Sequence, residues 1–171
     1  SINFTIDDLE EIARRCAPKG IRTYLTLNTI IYDHDLSIIK TLLDAAKKAG
    51  LTAVIAMDQA VIAYARQIGM EVHISTQINI TNIETVRFYA MFADTMVMSR
   101  ELSLRQIKKI CEQIEKEQIK GPSGNLVEIE IFGHGALCMA VSGKCYLSLH
   151  SHNSSANRGA WKQNCRKKYT V

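Results

Sequence analysis

The sequence predicts an α/β fold: a parallel, barrel-like (β/α) sheet that is incomplete, with about five strands and its first units missing, followed by a cysteine-rich loop segment. Three observations predict it. Short apolar runs alternate with amphipathic helical stripes through residues 1–132, the pattern of strands joined by helical crossovers. No Gly-rich phosphate loop follows any run, which weakens the open doubly wound sheet as the alternative. The chain has 171 residues, whereas a closed barrel takes roughly 200 or more.

Residues 21–28 (IRTYLTLN) are β-rich and read as the first strand. Residues 36–49 put Leu36, Ile39, Leu42, Leu43 and Ala46 on one helical stripe that stops at Gly50, where a helix C-terminus favours glycine. Residues 53–57 (AVIAM) are continuously apolar, as a strand buried on both faces requires, and 59–68 return to helical period before Gly69. A strand at 71–75, a helix at 83–92, a strand at 95–98, a helix at 104–118 and a fifth strand at 126–132 continue the series. After Phe132 the pattern ends. Gly, Ser, Asn and three of the five histidines (His134, His150, His152) follow without a sustained period, which predicts a long functional loop or a small lobe organised by a ligand. The expected division is a β/α portion at 1–132 and a basic, cysteine-rich segment at 133–171 packed on the C-terminal face of the sheet.

Composition narrows the class. Hydrophobic residues make up 47% and charged residues 22%, which excludes disorder and fibres. No apolar run approaches the roughly 18 residues of a membrane span, and residues 1–8 lack the pattern of a secretory signal, so no membrane partner and a cytoplasmic location are expected. The five cysteines, an odd number, read as reduced thiols. Charge is lopsided: residues 133–171 carry six cations and no carboxylate side chain, while residues 1–132 hold 15 basic and 17 acidic residues.

In parallel α/β folds, reactive groups gather where strands end. That rule brings Asn28, Asp58, Ser75, Thr76, Gln77, Ser99, Arg100, Glu101 and residues 130–134 to one face. Asp58 and Ser103 equally suit the N-caps of the helices they precede. Arg100 and Glu101, opposite charges at a buried strand's end, predict either a ligand site or an internal ion pair. Polar strand ends near Arg100 suit a small anionic cofactor.

Cys138, Cys145 and Cys165 fall in the flexible tail. Thiolates bind iron–sulfur clusters and zinc, and His134, His150 or His152 would complete a zinc site. The CxxC knuckle is absent, so unligated cysteines fit the spacing as well. Further along, cations interleave with Trp161 and Tyr169 over residues 158–169, a footprint for phosphates and unpaired bases of RNA or simply a solvated end.

Residues 130–148 (EIFGHGALCMAVSGKCYLS) resemble the signature of the collagenase-like peptidase family, number thirty-two among peptidases of unknown catalytic type. The Glu, the Phe, the Gly-Ala, both Cys, the intervening Gly and the final Ser are all present. Residues 75–79, 99–104 and 155–160 resemble family segments too. The resemblance implies a (β/α) barrel whose first strands precede residue 1. It also implies iron–sulfur chemistry in RNA or quinone hydroxylation, some relatives using prephenate, with Cys138 and Cys145 as cluster ligands. Trp161 departs from the pattern: similar relatives carry a Cys there, leaving Cys165 alone of that pair.

These readings give Glu130, His134, Arg100 and Glu101 as catalytic candidates, Gln77, Asn79, Arg158 and Arg166 as substrate-binding candidates, and Cys138, Cys145 and Cys165 as metal ligands. The expected activity is that of an iron–sulfur protein of the peptidase-named family acting in RNA hydroxylation, with a prephenate-like anion as a further cofactor. A true collagenase-type peptidase acting on a peptide is the alternative, although no HExxH helix or Gly-x-Ser-x-Gly elbow is present. A third reading is a catalytically inert fragment that dimerises through exposed sheet edges.

Overall fold

The computed structural model describes residues 4–135 and 138–168. It opens with α1 (Ile6–Cys16), capped by Thr5, whose hydroxyl accepts the Asp8 N–H at 3.3 Å while Asp8 Oδ2 accepts the Thr5 N–H at 2.6 Å. Its apolar residues Ile6, Leu9, Ile12, Ala13 and Cys16 recur at helical spacing, although this helix is absent from the expected series, and Leu9 and Ala13 are buried as it packs on α2 (Leu36–Ala49).

Five parallel strands follow: β1 (Tyr24–Leu27), β2 (Ala53–Ala56), β3 (Glu71–Ile74), β4 (Thr95–Val97) and β5 (Glu128–Glu130). They stand in the order β1-β2-β3-β4-β5 in one open sheet, linked by α2, α3 (Gln59–Gln67), α4 (Ile83–Ala90) and α5 (Leu104–Glu117). The order never reverses, as it would at the switch point of a doubly wound sheet. It is that of an incomplete, barrel-like arc, and β1 and β5 are its two edges.

Strand alternation divides the side chains between two faces. Leu25, Leu27, Val54, Ala56, Val72, Ile74, Met96 and Ile129 belong to the apolar core shared with the helices. Each such aliphatic side chain removed from water stabilises the fold by about 1.5–3 kcal/mol. Arg22, Tyr24, Thr26, Glu71, His73, Thr95, Glu128 and Glu130 have the opposite parity and share the other, concave face with the apolar Ala53, Ile55 and Val97.

The strands are shorter than the apolar runs. β5 begins at Glu128 because Leu126 is taken by an antiparallel bridge to Lys120, and Ile131 and Phe132 are exposed beyond its end. The tail is more regular than its composition suggests: α6 (Leu147–His152) and two single 3-10 turns, Ala156–Arg158 and Asn164–Arg166, shape it. Six residues are too few to display a helical period. Among the described residues no helix is long and apolar enough to cross a membrane.

Candidate functional site

The ends of β1, β3 and β4 carry polar residues, and the tail is fastened to each of them. At β3, Ser75 caps a single turn and Asn79 takes φ 58°, which turns its side chain so that Nδ2 donates to Gln77 O at 2.8 Å and to Ser142 O at 3.1 Å. Gln77 lies under Gly143. A Cβ on that glycine would stand 3.3 Å from Gln77 Cβ, and its φ of +77° disfavours any side chain, so the tail approaches this closely only with glycine there. Gln77 Oε1 and Asn79 Oδ1 are buried without a hydrogen-bond partner among the described residues.

At β4, Arg100 donates from Nε to Ser142 Oγ at 3.0 Å and from its terminal nitrogen to Ala140 O at 3.1 Å. It makes no ion pair with Glu101. Glu101 instead accepts the Ser99 hydroxyl, and that bond, with its own backbone N–H, holds its carboxyl below the ordinary carboxylate range. A cavity of about 120 Å³ lies beside these residues, lined in part by Ser99, Arg100, Ile131 and Phe132.

At the β1 end the tail forms a second clasp. Arg158 donates to Ile30 O at 2.8 Å and to Asp35 Oδ2 at 2.5 Å, and stands 4.5 Å from the centre of the Tyr32 ring. Ile30 N–H donates in turn to Asn157 O at 2.9 Å. The Arg158 guanidinium, followed by the Tyr32 N–H, pulls the Asp35 carboxyl down to about 2. Arg158 is thus engaged by the body of the fold. Asp58 caps α3 through Ala60 N–H at 2.9 Å and also accepts Ile31 N–H at 3.0 Å, while Ser103 caps α5.

Cys138, Cys145 and Cys165 border one cavity of about 240 Å³, together with Lys144, Tyr146 and Trp161. Arg166 stacks toward Trp161 at 5.9 Å. The donors are the right kind for a soft metal or an iron–sulfur cluster, but an indole forms the fourth wall and cannot ligate. Among the described residues no three ligating groups stand close enough together to hold an ion. A four-thiolate cluster does not fit this arrangement.

Glu130 and His134 are not joined by any hydrogen bond or ion pair among the described residues, and both are exposed. His152 faces Asn164 Oδ1 at 3.1 Å rather than the thiols. Tyr169 lies outside the described residues, as do residues 136–137 of the signature. The sequence did not point to Ser142, to Asp35 or to His73. Ser148 was visible only as the signature's last residue; it is fully buried and its Oγ accepts the Lys162 N–H at 3.0 Å, fixing α6 to the following strand of tail.

Comparison with known proteins adds the following. The family described as Peptidase family U32 matches residues 1–171. A protein named collagenase from Porphyromonas gingivalis (strain ATCC BAA-308 / W83) is 57% identical over 169 residues, covering 99% of this chain and 41% of the relative. The tRNA hydroxylation protein P1 of Bacillus subtilis (strain 168) is 32% identical over 99% of this chain and 38% of its own length. The 23S rRNA 5-hydroxycytidine C2501 synthase of Escherichia coli (strain K12) is 33% identical over 98% of this chain and 24% of its own length. The chain therefore spans less than half the length of these relatives.

Proposed function

The chain belongs to peptidase family U32, and from that premise we propose that it acts on RNA, as part of a hydroxylation enzyme. One observation carries the reading: the three-thiol cavity is lined by Lys144 and walled by Trp161, with Arg166 against the indole, in a segment that carries six cations and no acidic side chain. Cations of this density favour phosphates, and an indole face beside them favours an unpaired base. The names of the B. subtilis and E. coli relatives agree with it.

Cys138, Cys145 and Cys165 are thiols of the right kind for an iron–sulfur group, but as arranged here they do not stand close enough together to hold one, so no step of the proposal runs through a metal. Arg100, Gln77 and Asn79 would hold a small anion only after the latch to residues 140–143 opens, since that latch now occupies two of the Arg100 donors.

Mass analysis of nucleosides from cells with and without the gene tests the reading. Loss of one hydroxylated nucleoside, restored by the wild-type gene and not by a Cys138→Ser, Cys145→Ser variant, is the expected result. An unchanged nucleoside profile with cleavage of unfolded collagen would favour peptide hydrolysis instead, the second reading, which rests on 57% identity to the protein named collagenase. Anaerobic purification and visible absorbance test that misfit separately: protein that carries an iron–sulfur chromophore would overturn it.

A further inference from the structure

His73 is 4% exposed on the concave face of the sheet, with a carboxylate at each ring nitrogen. Glu71, two residues earlier and so on the same face, brings Oε1 to 2.9 Å from Nε2. Glu130, which pairs with Val97 of β4, reaches diagonally across that strand and places Oε2 3.8 Å from Nδ1. Arg22 holds Glu71 from the other side at 2.7 Å, and Tyr24 packs on the imidazole with ring centres 4.9 Å apart. The interior of a β/α barrel is ordinarily filled by branched aliphatics, so a buried histidine between two carboxylates calls for a chemical reason.

A carboxylate has no proton to give, so the Glu71 contact assigns the imidazole N–H to Nε2. Nδ1 then points its lone pair at an oxygen lone pair of Glu130. That gap takes one proton. On Nδ1 it gives an imidazolium between two carboxylates; on Oε2 it gives an acid that donates to Nδ1. The ring is sealed, whereas the Glu130 side chain is 54% exposed, so the route from the gap to solvent runs through Glu130.

We propose that Glu130 and His73 form an acid–base pair that exchanges a proton with a ligand lying over the concave face, one that presents a hydroxyl or amino group. Glu71, Glu128 and Glu130 share that face with the single cation Arg22, a balance that repels phosphate. In the forward step the ligand's O–H or N–H bond breaks, the proton joins Glu130 Oε2 and the electron pair stays on the ligand atom. The proton then passes to Nδ1, where Glu71 balances the new charge. The reverse transfer returns it. At 3.8 Å the contact is longer than a hydrogen bond, as catalytic contacts are before a ligand closes on them. The pair is independent of the thiol cavity and of any metal there.

Imidazole nitrogen NMR of the intact chain tests it. In the wild type the neutral ring is expected to carry its proton on Nε2. Glu130→Gln removes the carboxylate that faces Nδ1 and is expected to slow water exchange of the imidazole protons several-fold. Glu130→Asp, which keeps the charge farther off, is expected to fall between the two. His73→Gln retains a donor for Glu71 and is expected to keep the melting temperature, which separates proton transfer from packing. Ethanolamine is expected to move the His73 ring resonances at concentrations where inorganic phosphate does not. A neutral ring with its proton on Nδ1, or Glu130 variants that leave the exchange unchanged, overturns the pair. Phosphate acting before ethanolamine, or silence from both, overturns the ligand class.

Discussion

The β/α body and the tail are built inside out relative to each other. In the body, Leu43, Val54, Val72, Ile74 and Met96 are fully buried or nearly so, and the polar groups lie at strand ends and on the concave face. In the tail the buried side chains are polar, Ser142, Ser148 and Asn164, while Met139, Val141, Tyr146, Leu147 and Trp161 are exposed. A segment of that kind gains little from apolar burial and is fixed by a few directional bonds: Arg100 and Asn79 to Ser142, Arg158 to Asp35, and Asn157 to Ile30. The body is therefore the stable platform, and the tail, where Cys138, Cys145 and Cys165 lie among cations without a neighbouring acidic side chain, is the part that opens at low cost.

The comparison breaks first if the body is not held by its core. Ile74→Ala removes a side chain with no exposed surface and is expected to cost about 2–5 kcal/mol in urea unfolding. Far-UV dichroism and the fluorescence of Trp161, the only tryptophan, should then be lost together. A cost below about 1 kcal/mol would mean that the sheet–helix layer can collapse around the gap and is not the platform described.

Tail substitutions sharpen it from the other side. Gly143→Ala forces a side chain into φ +77° against Gln77 and is expected to cost roughly 1–2 kcal/mol locally. Ser142→Ala removes the acceptor of Arg100 Nε and is expected to cost about 1 kcal/mol. Both should raise the reaction rate of Cys138 and Cys145 with a thiol reagent, by up to about tenfold for Gly143→Ala, and leave the urea midpoint of the body in place. A shift of that midpoint in either variant would show that tail and body unfold as one unit.

The same contrast explains what the sequence discloses. The helix at 36–49 is legible because burial on one face repeats with a fixed period, and Gly50 closes it in the left-handed conformation expected of it; the strand run at 53–56 is legible because it is apolar throughout and buried on both faces. α1 is legible too, from Ile6, Leu9, Ile12, Ala13 and Cys16 at helical spacing behind the Thr5–Asp8 cap, but it precedes the strand–helix alternation and stands outside that series. The tail escapes because its order comes from single bonds between residues far apart in the chain, such as Asp35 with Arg158. The candidate strand-end residues are legible from topology alone, yet their partners are not: of the two readings of Arg100 and Glu101, the internal ion pair gives way to bonds with Ser142 and Ser99, and one histidine inside EVHIS carries no sign that Glu130 faces it.

The smallest effect is on the acid side. Asp35 is held at about 2 in the folded chain, whereas a free Asp titrates near 3.9, so the fold favours the ionised carboxylate. Its contribution is present above the unfolded value and is lost as pH falls through the folded one, which sets a window from about pH 4 down to about pH 2. Trp161 emission is expected to change in that window while far-UV dichroism of the sheet persists. Asp35→Asn should show the altered emission already at neutral pH and no further change on acidification. Glu11 in α1 is also held at about 2, by Arg14 and Arg15, and titrates alongside. Its partners lie within one turn of the same helix, so its protonation can fray α1 but cannot reach Trp161. An acid transition in emission that survives in Asp35→Asn would place the latch elsewhere in the tail.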